Sequence, residues 1–149
     1  MSQESRERTI LDLELELSRL VRRIRRVVGE RARIIHPDLS PAGYLILAYM
    51  IESGTVRASA VVEAFHLDKG AVSRHVQTLV DFGLATKERD PLDGRAWVVA
   101  PSDEGRARMA DLTTERREAL GRRLGDWSDD ELKAFVATLG RYNTSLDDF

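Results

Sequence analysis

The chain has no cysteine in 149 residues, which excludes disulfides, thiolate metal sites and thiol-based redox sensing together. A reducing, cytoplasmic location is the expectation. Histidine is scarce as well: His36, His66 and His75 are the only three, and no two of them fall at the i, i+4 spacing of a helical metal site. No apolar run approaches the ~18 residues that a membrane-spanning helix needs, and Met1 to Arg8 lacks the basic-then-apolar order of a signal peptide. No membrane partner is expected. Internal repeats and long flexible linkers are also missing. What is present is 42% hydrophobic residues, in a chain long enough for one real core and too short for two large domains.

The formal charge of -2 conceals a local pattern. Residues 1–18 and 127–149 are each net acidic, whereas the block Arg19, Arg22, Arg23, Arg25, Arg26, Arg31 and Arg33 is strongly basic. A charge run of this kind reads first as a solvated helix face that pairs with the acidic termini. Nucleic-acid binding depends on the face presented, so the overall sum does not decide it.

Apolar periodicity predicts helices nearly throughout. From Ile10, the residues Leu13, Leu17, Leu20, Ile24 and Val27 recur at spacings of three and four, giving a long amphipathic helix that ends before His36-Pro37. Ser40-Pro41 places an N-cap before a proline at the first helical position, and Gly54 stops that helix. Val56 to Phe65 reads as a short third helix. Asp68 caps a fourth from Lys69 to Phe82, closed by Gly83. Ser102 caps a helix reaching about Leu124, and Ser128 with Glu131 forms a capping box for the last, through about Tyr142.

One segment breaks the pattern. In RDPLDGRAWVVAPSDEG, Arg89 to Gly105, Asp90-Pro91 opens a turn and Asp93-Gly94 closes it, because those residues tolerate positive φ. Arg95 to Ala100 is β-branched and aromatic and pairs with Leu84 to Arg89, making a hairpin with an arginine at its tip.

On the fourth helix, Val72, Val76, Leu79 and Val80 gather on one face. The opposite face carries Gly70, Arg74, Gln77 and Thr78, with Ser73 at its edge and Lys69 at its start. Arginine and glutamine read guanine and adenine edges bidentately, and Gly70 would let a phosphate approach the free amides at the helix start. An ordinary polar face is the simpler reading of this helix alone. Catalysis finds little support. Ser73 and His75 stand two apart on a helix and cannot share a hydrogen bond, and Asp129, Asp130 and Glu131 are a dipole-stabilised helix start. No enzyme activity and no cofactor are expected.

A short helix, a tight turn through His66-Leu67-Asp68, a second helix with a polar outer face and a charged hairpin make a helix-turn-helix with a wing. Here the chain resembles the MarR family of bacterial transcription regulators. The carrying residues are LDKGAVSRHVQTLVDFGLATKERDPLDGRAWVVAPSDEG, Leu67 to Gly105, with Asp93 and Arg95 as the wing's D-x-R. It departs from the family at Pro101-Ser102, where Leu-Thr is usual, so that Ser102 must cap and strand pairing must stop at Pro101. It departs again at His66, which stands where a glycine is usual in the turn.

The resemblance implies a mainly α fold: a winged helix-turn-helix over residues 37–101, with a β-hairpin wing, and long dimerisation helices over 1–36 and 102–149. It implies double-stranded DNA as partner, with the recognition helix (Lys69, Gly70, Ser73, Arg74, Gln77, Thr78) in the major groove and Arg95 in the minor groove. Asp93 would hold the wing turn, and Lys87 and Arg89 would meet phosphates. A two-fold homodimer on a pseudo-palindromic operator follows, acting as a repressor. The relatives imply release by a small aromatic or phenolic effector, for which His36 and Tyr44 are the candidate contacts. A winged-helix protein-interaction module without DNA binding is the alternative.

Overall fold

The computed structural model describes residues 2–147. Its elements are α1 (Gln3–Ile35), α2 (Pro41–Ser53), β1 (Val56–Arg57), α3 (Ala58–Phe65), α4 (Lys69–Asp81), β2 (Ala85–Arg89), β3 (Trp97–Pro101), α5 (Asp103–Arg123) and α6 (Asp129–Ser145). The three strands form one antiparallel sheet in the order β1-β3-β2. The chain divides into two compact units, Met1–Leu112 and Thr113–Phe149.

Local capping explains most boundaries. The side chains of Ser40, Asp68 and Ser128 each accept a backbone N–H in the first turn of α2, α4 and α6, so orphan amides at those helix starts are satisfied. The Ser128–Glu131 capping box is complete in both directions. At the other end of α4, Gly83 takes φ +73, a left-handed conformation that costs glycine nothing, and turns the chain into the wing. His66, after α3, takes φ 49 without that freedom.

The first unit has a continuous core. Ile46, Leu47 and Met50 of α2, Val61 of α3 and Leu79 of α4 have no exposed surface, and they pack with Leu84, Val99 and the end of α1 through Ala32 and Ile35. Met109 and Leu112 of α5 join them. Arg108 donates from Nη1 to the carbonyl of Ile35 at 2.7 Å, which satisfies a C-terminal carbonyl of α1 and ties α5 to it. Gly105 fits the start of α5 against the wing: a Cβ there would lie 2.1 Å from the Leu84 carbonyl oxygen.

Three expectations need correction. First, α1 begins at Gln3 rather than Ile10, because Ser2 caps it through the Ser5 amide. Second, Val56 and Arg57 are not helical but pair with Val99 and Val98 as a short strand before α3. Third, neither Asp93 nor Gly94 takes a positive φ; the turn closes instead through Asp side chains that accept backbone N–H groups two residues on. Strand pairing ends as expected at Pro101, the last residue of β3. That residue pairs with Ala85, and the Ser102 amide reaches the Leu84 carbonyl at 3.0 Å. Pro101 occupies a non-hydrogen-bonded position of the ladder, where its missing N–H removes no bond.

Ser102 does cap α5. Its hydroxyl accepts from the Gly105 amide at 3.0 Å and donates to the Gly83 carbonyl at 2.6 Å, linking the end of α4 to the start of α5.

Candidate nucleic-acid interface

The periodicity of α4 splits its side chains between two surroundings. Val72, Val76 and Leu79 are buried in the core, which turns Lys69, Gly70, Ser73, Arg74 and Gln77 outward to solvent and leaves Thr78 half-buried. Asp68 Oδ1 takes the Ala71 amide at 2.7 Å, so a carboxylate already sits at the helix start beside Gly70. Arg74 folds back over the same turn: a Cβ at Gly70 would come within 3.3 Å of its Nη1. Further along, Gln77 Nε2 donates to Asp81 Oδ1 at 2.8 Å, and the Thr78 hydroxyl donates to the Arg74 carbonyl at 3.0 Å. Ser73, Arg74 and Gln77 are the exposed polar groups of the helix face, whereas Thr78 spends its proton within the helix.

The wing presents a second set. Arg95 is exposed at the tip and makes no ion pair among the described residues; Asp93 accepts its backbone N–H at 3.1 Å, not its guanidinium. The Asp93 side chain thus shapes the turn and leaves the Arg95 side chain available. Lys87 and Arg89 stand two apart on β2, so they share one face of the sheet. Both lie over the Trp97 ring, Lys87 Nζ at 4.5 Å and Arg89 Cζ at 4.1 Å from its centroid. Arg89 also donates to the Gly94 carbonyl at 3.2 Å, bracing the turn.

The structure brings the two sets together at a cavity of about 340 Å³, where Lys69, Gly70 and Ser73 of α4 face Lys87 and Trp97 of the wing across an apolar floor of Val62, Val72 and Val99. His36 and Tyr44 stand elsewhere. The His36 ring stacks on Phe82 at 3.7 Å between centroids, its Nδ1 accepts the Asp38 amide at 3.1 Å, and Tyr44 is buried in the core.

Residue-by-residue reading missed two supports of the interface. Trp97 was legible as a strand residue, and its cation-carrying face follows once the hairpin register pairs it with Arg89. Arg57 left no local signal. It forms a 2.7 Å ion pair with Asp90, whose other oxygen accepts the Leu92 amide at 2.9 Å. The Leu92 hydrogen bond, followed by the Arg57 guanidinium, holds the Asp90 carboxyl below its ordinary pKa despite the burial that opposes ionisation.

A two-helix reader with an outward polar helix and a β-hairpin beside it defines a winged helix-turn-helix, a fold class that places its second helix in the major groove. Residues 38–96, the segment that forms this winged helix-turn-helix, match the model of the MarR family. The chain is 28% identical over 136 residues to the HTH-type transcriptional regulator YxaD of Bacillus subtilis (strain 168), covering 91% of this chain and 94% of that protein. Among solved structures, a MarR transcriptional regulator from Methanosarcina mazei Go1 superposes with a TM-score of 0.76 at 18% identity, over 92% of this chain and 98% of that one. The transcriptional regulator SlyA superposes with 0.74 at 15% identity, over 92% and 95%.

Proposed function

We propose that the protein is a sequence-specific, homodimeric transcriptional regulator that binds a pseudo-palindromic operator as a repressor. The observation that carries this reading is the exposed Ser73–Arg74–Gln77 face of α4, held outward by a valine and leucine face at under 3% exposure. In this reading residues 37–101 are the DNA-binding domain. Arg74 and Gln77 read base edges in the major groove, Lys69, Gly70, Ser73 and Thr78 line the same face, and Lys87 and Arg89 meet phosphates. Arg95 enters the minor groove, where a guanidinium sheds water readily into a narrow, negative channel.

Residues 1–36 and 102–149 serve dimerisation. Ile10, Leu13, Leu20 and Ile24 of α1 are 47–49% exposed, and Phe135, Val136 and Leu139 of α6 are 39–62% exposed, apolar surface that a second copy would cover. The release signal in this reading is a small aromatic or phenolic compound acting beside His36 and Tyr44, a role that rests on the family resemblance.

Titration of variants against matched and mismatched duplexes, selected by the protein from a random-sequence pool, tests the division of labour. Arg74→Ala should lose roughly 1–3 kcal/mol and relax preference at one position per half-site. Arg95→Ala should weaken binding to both duplexes alike. Equal losses by both variants on both duplexes would sink the assignment.

A further inference from the structure

Four ion pairs occur among the described residues, and three of them join residues three or four apart on α1 or α5. The fourth, Arg57–Asp90, crosses from the start of the helix-turn-helix to the root of the wing. Asp90 is also the one buried polar or charged residue among those described, at 7% exposure. Burying a carboxylate is expensive unless it is paired and hydrogen-bonded, and an apolar pair would hold the same two elements without that cost. The placement therefore calls for a role in geometry.

Asp90 joins its own loop to the start of α3. Its Oδ2 accepts from Arg57 Nη2 at 2.7 Å, its Oδ1 accepts from the Leu92 amide at 2.9 Å, and its own amide donates to the Ala96 carbonyl at 3.0 Å. The loop 90–96, which carries Arg95, is thus closed on itself and pinned at its root to Arg57, the residue immediately before α3. β1 alone gives a weak hold on the wing, since it contributes two residues, Val56 and Arg57, to the ladder. A two-stranded hairpin by itself is marginal in water, and a small rotation at its root becomes a larger displacement at its tip.

We propose that Arg57 and Asp90 are a positioning pair that fixes the wing relative to the recognition helix, so that Arg95 and Arg74 engage the same duplex together. The pair acts through Arg95 and not by touching DNA. This inference rests on the reading that Arg95 contacts DNA, and the experiment separates the two.

The probe is a duplex selected by the wild-type protein from random-sequence DNA, with affinity read by fluorescence anisotropy. Arg95→Ala should weaken binding on the order of tenfold, and Arg57→Gln alone about three- to tenfold, amounts within reach of one lost charged contact. In the Arg95→Ala background, Arg57→Gln should cost nothing further. Asp90→Asn, which keeps an acceptor for the Leu92 amide and removes the charge that holds Arg57, should reproduce the same coupling. Because the chain has no native cysteine, a nitroxide on Leu92→Cys at the exposed wing and another on Glu52→Cys at the end of α2 report local motion separately. Arg57→Gln should add a mobile component at position 92 and leave position 52 unchanged.

Equal cost of Arg57→Gln in both Arg95 backgrounds would overturn the proposal, since the arginine would then act on its own. An unchanged nitroxide spectrum at position 92 would overturn it too. If Arg95→Ala alone leaves affinity intact, the minor-groove reading falls, and with it any purpose for positioning that side chain.

Discussion

α2 and α1 put their apolar residues to opposite ends. In α2, Ile46, Leu47 and Met50 are fully buried, whereas in α1 the residues Ile10, Leu11, Leu13, Leu15, Leu20, Val21 and Ile24 remain 47–60% exposed, and burial begins only near Val28. Hydrophobic periodicity announces that a face must be covered; it does not say whether the same chain covers it. α2 completes its packing inside the reader. α1 is left with a stripe from Ile10 to Ile24, and α6 has no buried residue at all.

Substitution at equivalent leucines exposes this contrast most sharply. Leu47→Ala should destabilise the fold by about 2–5 kcal/mol, as large-to-small changes do in a closed core, read by denaturant unfolding. The triple change Leu13→Glu, Leu20→Glu and Ile24→Glu should leave helical content nearly intact while light scattering shows loss of the dimer. A triple variant that stays dimeric would mean that α1 is not part of the interface. Unfolding of the reader on the same change would mean that its stripe is covered within one chain.

A smaller effect is expected where α5 meets the wing. Gly105→Ala places a methyl against the Leu84 backbone at a separation that cannot be kept, and the helix must shift. A loss of about 1–3 kcal/mol follows from overpacking, whereas Gly121→Ala, with open space around it, should be neutral or slightly stabilising through helix propensity. Equal Tm values for the two variants would contradict the close approach.

The smallest effect concerns pH. Glu131 is held below its ordinary pKa by the Ser128 amide and then by the Ser128 hydroxyl, as Asp90 is by Leu92 and Arg57. For both groups the folded value lies below the unfolded one. Their stabilisation is complete above the ordinary carboxylate range and is lost as pH falls through the lowered folded values. Tm should therefore drop on acidification through that range, and Glu131→Gln with Asp90→Asn should flatten the drop. An unchanged slope in the double variant would show that other carboxyls carry it.

What was legible in the chain was what is local. Ser40-Pro41, Asp68, Gly83 and the Ser128–Glu131 box each fix a boundary with side chains a few residues apart, and the structure places those boundaries as the spacing predicts. The fourth helix's two faces were legible for the same reason: Val72, Val76 and Leu79 repeat with the helical period, and burial follows it. Long-range partnerships were not. β1 is a strand only because Val56 and Arg57 meet Val99 and Val98 across forty-odd residues of chain. Asp90 reads as a turn residue until Arg57 is brought beside it. Gly105 looks like any helix-start glycine until Leu84 lies against it.

The central claim is that two readers related by a two-fold axis bind one duplex together, with Ser73, Arg74 and Gln77 of each copy in successive major grooves. Such a dimer requires half-site centres about one helical turn apart, roughly 10 base pairs. The most direct measurement is binding to a selected inverted-repeat duplex with and without about five base pairs inserted between its halves, which turns one half-site to the far side of the helix. Affinity should fall to that of random-sequence DNA, and binding to the uninterrupted site should weaken steeply with salt as Lys87, Arg89 and Arg95 release counterions. Undiminished affinity for the interrupted site would show that each reader binds alone and would contradict the symmetric dimer.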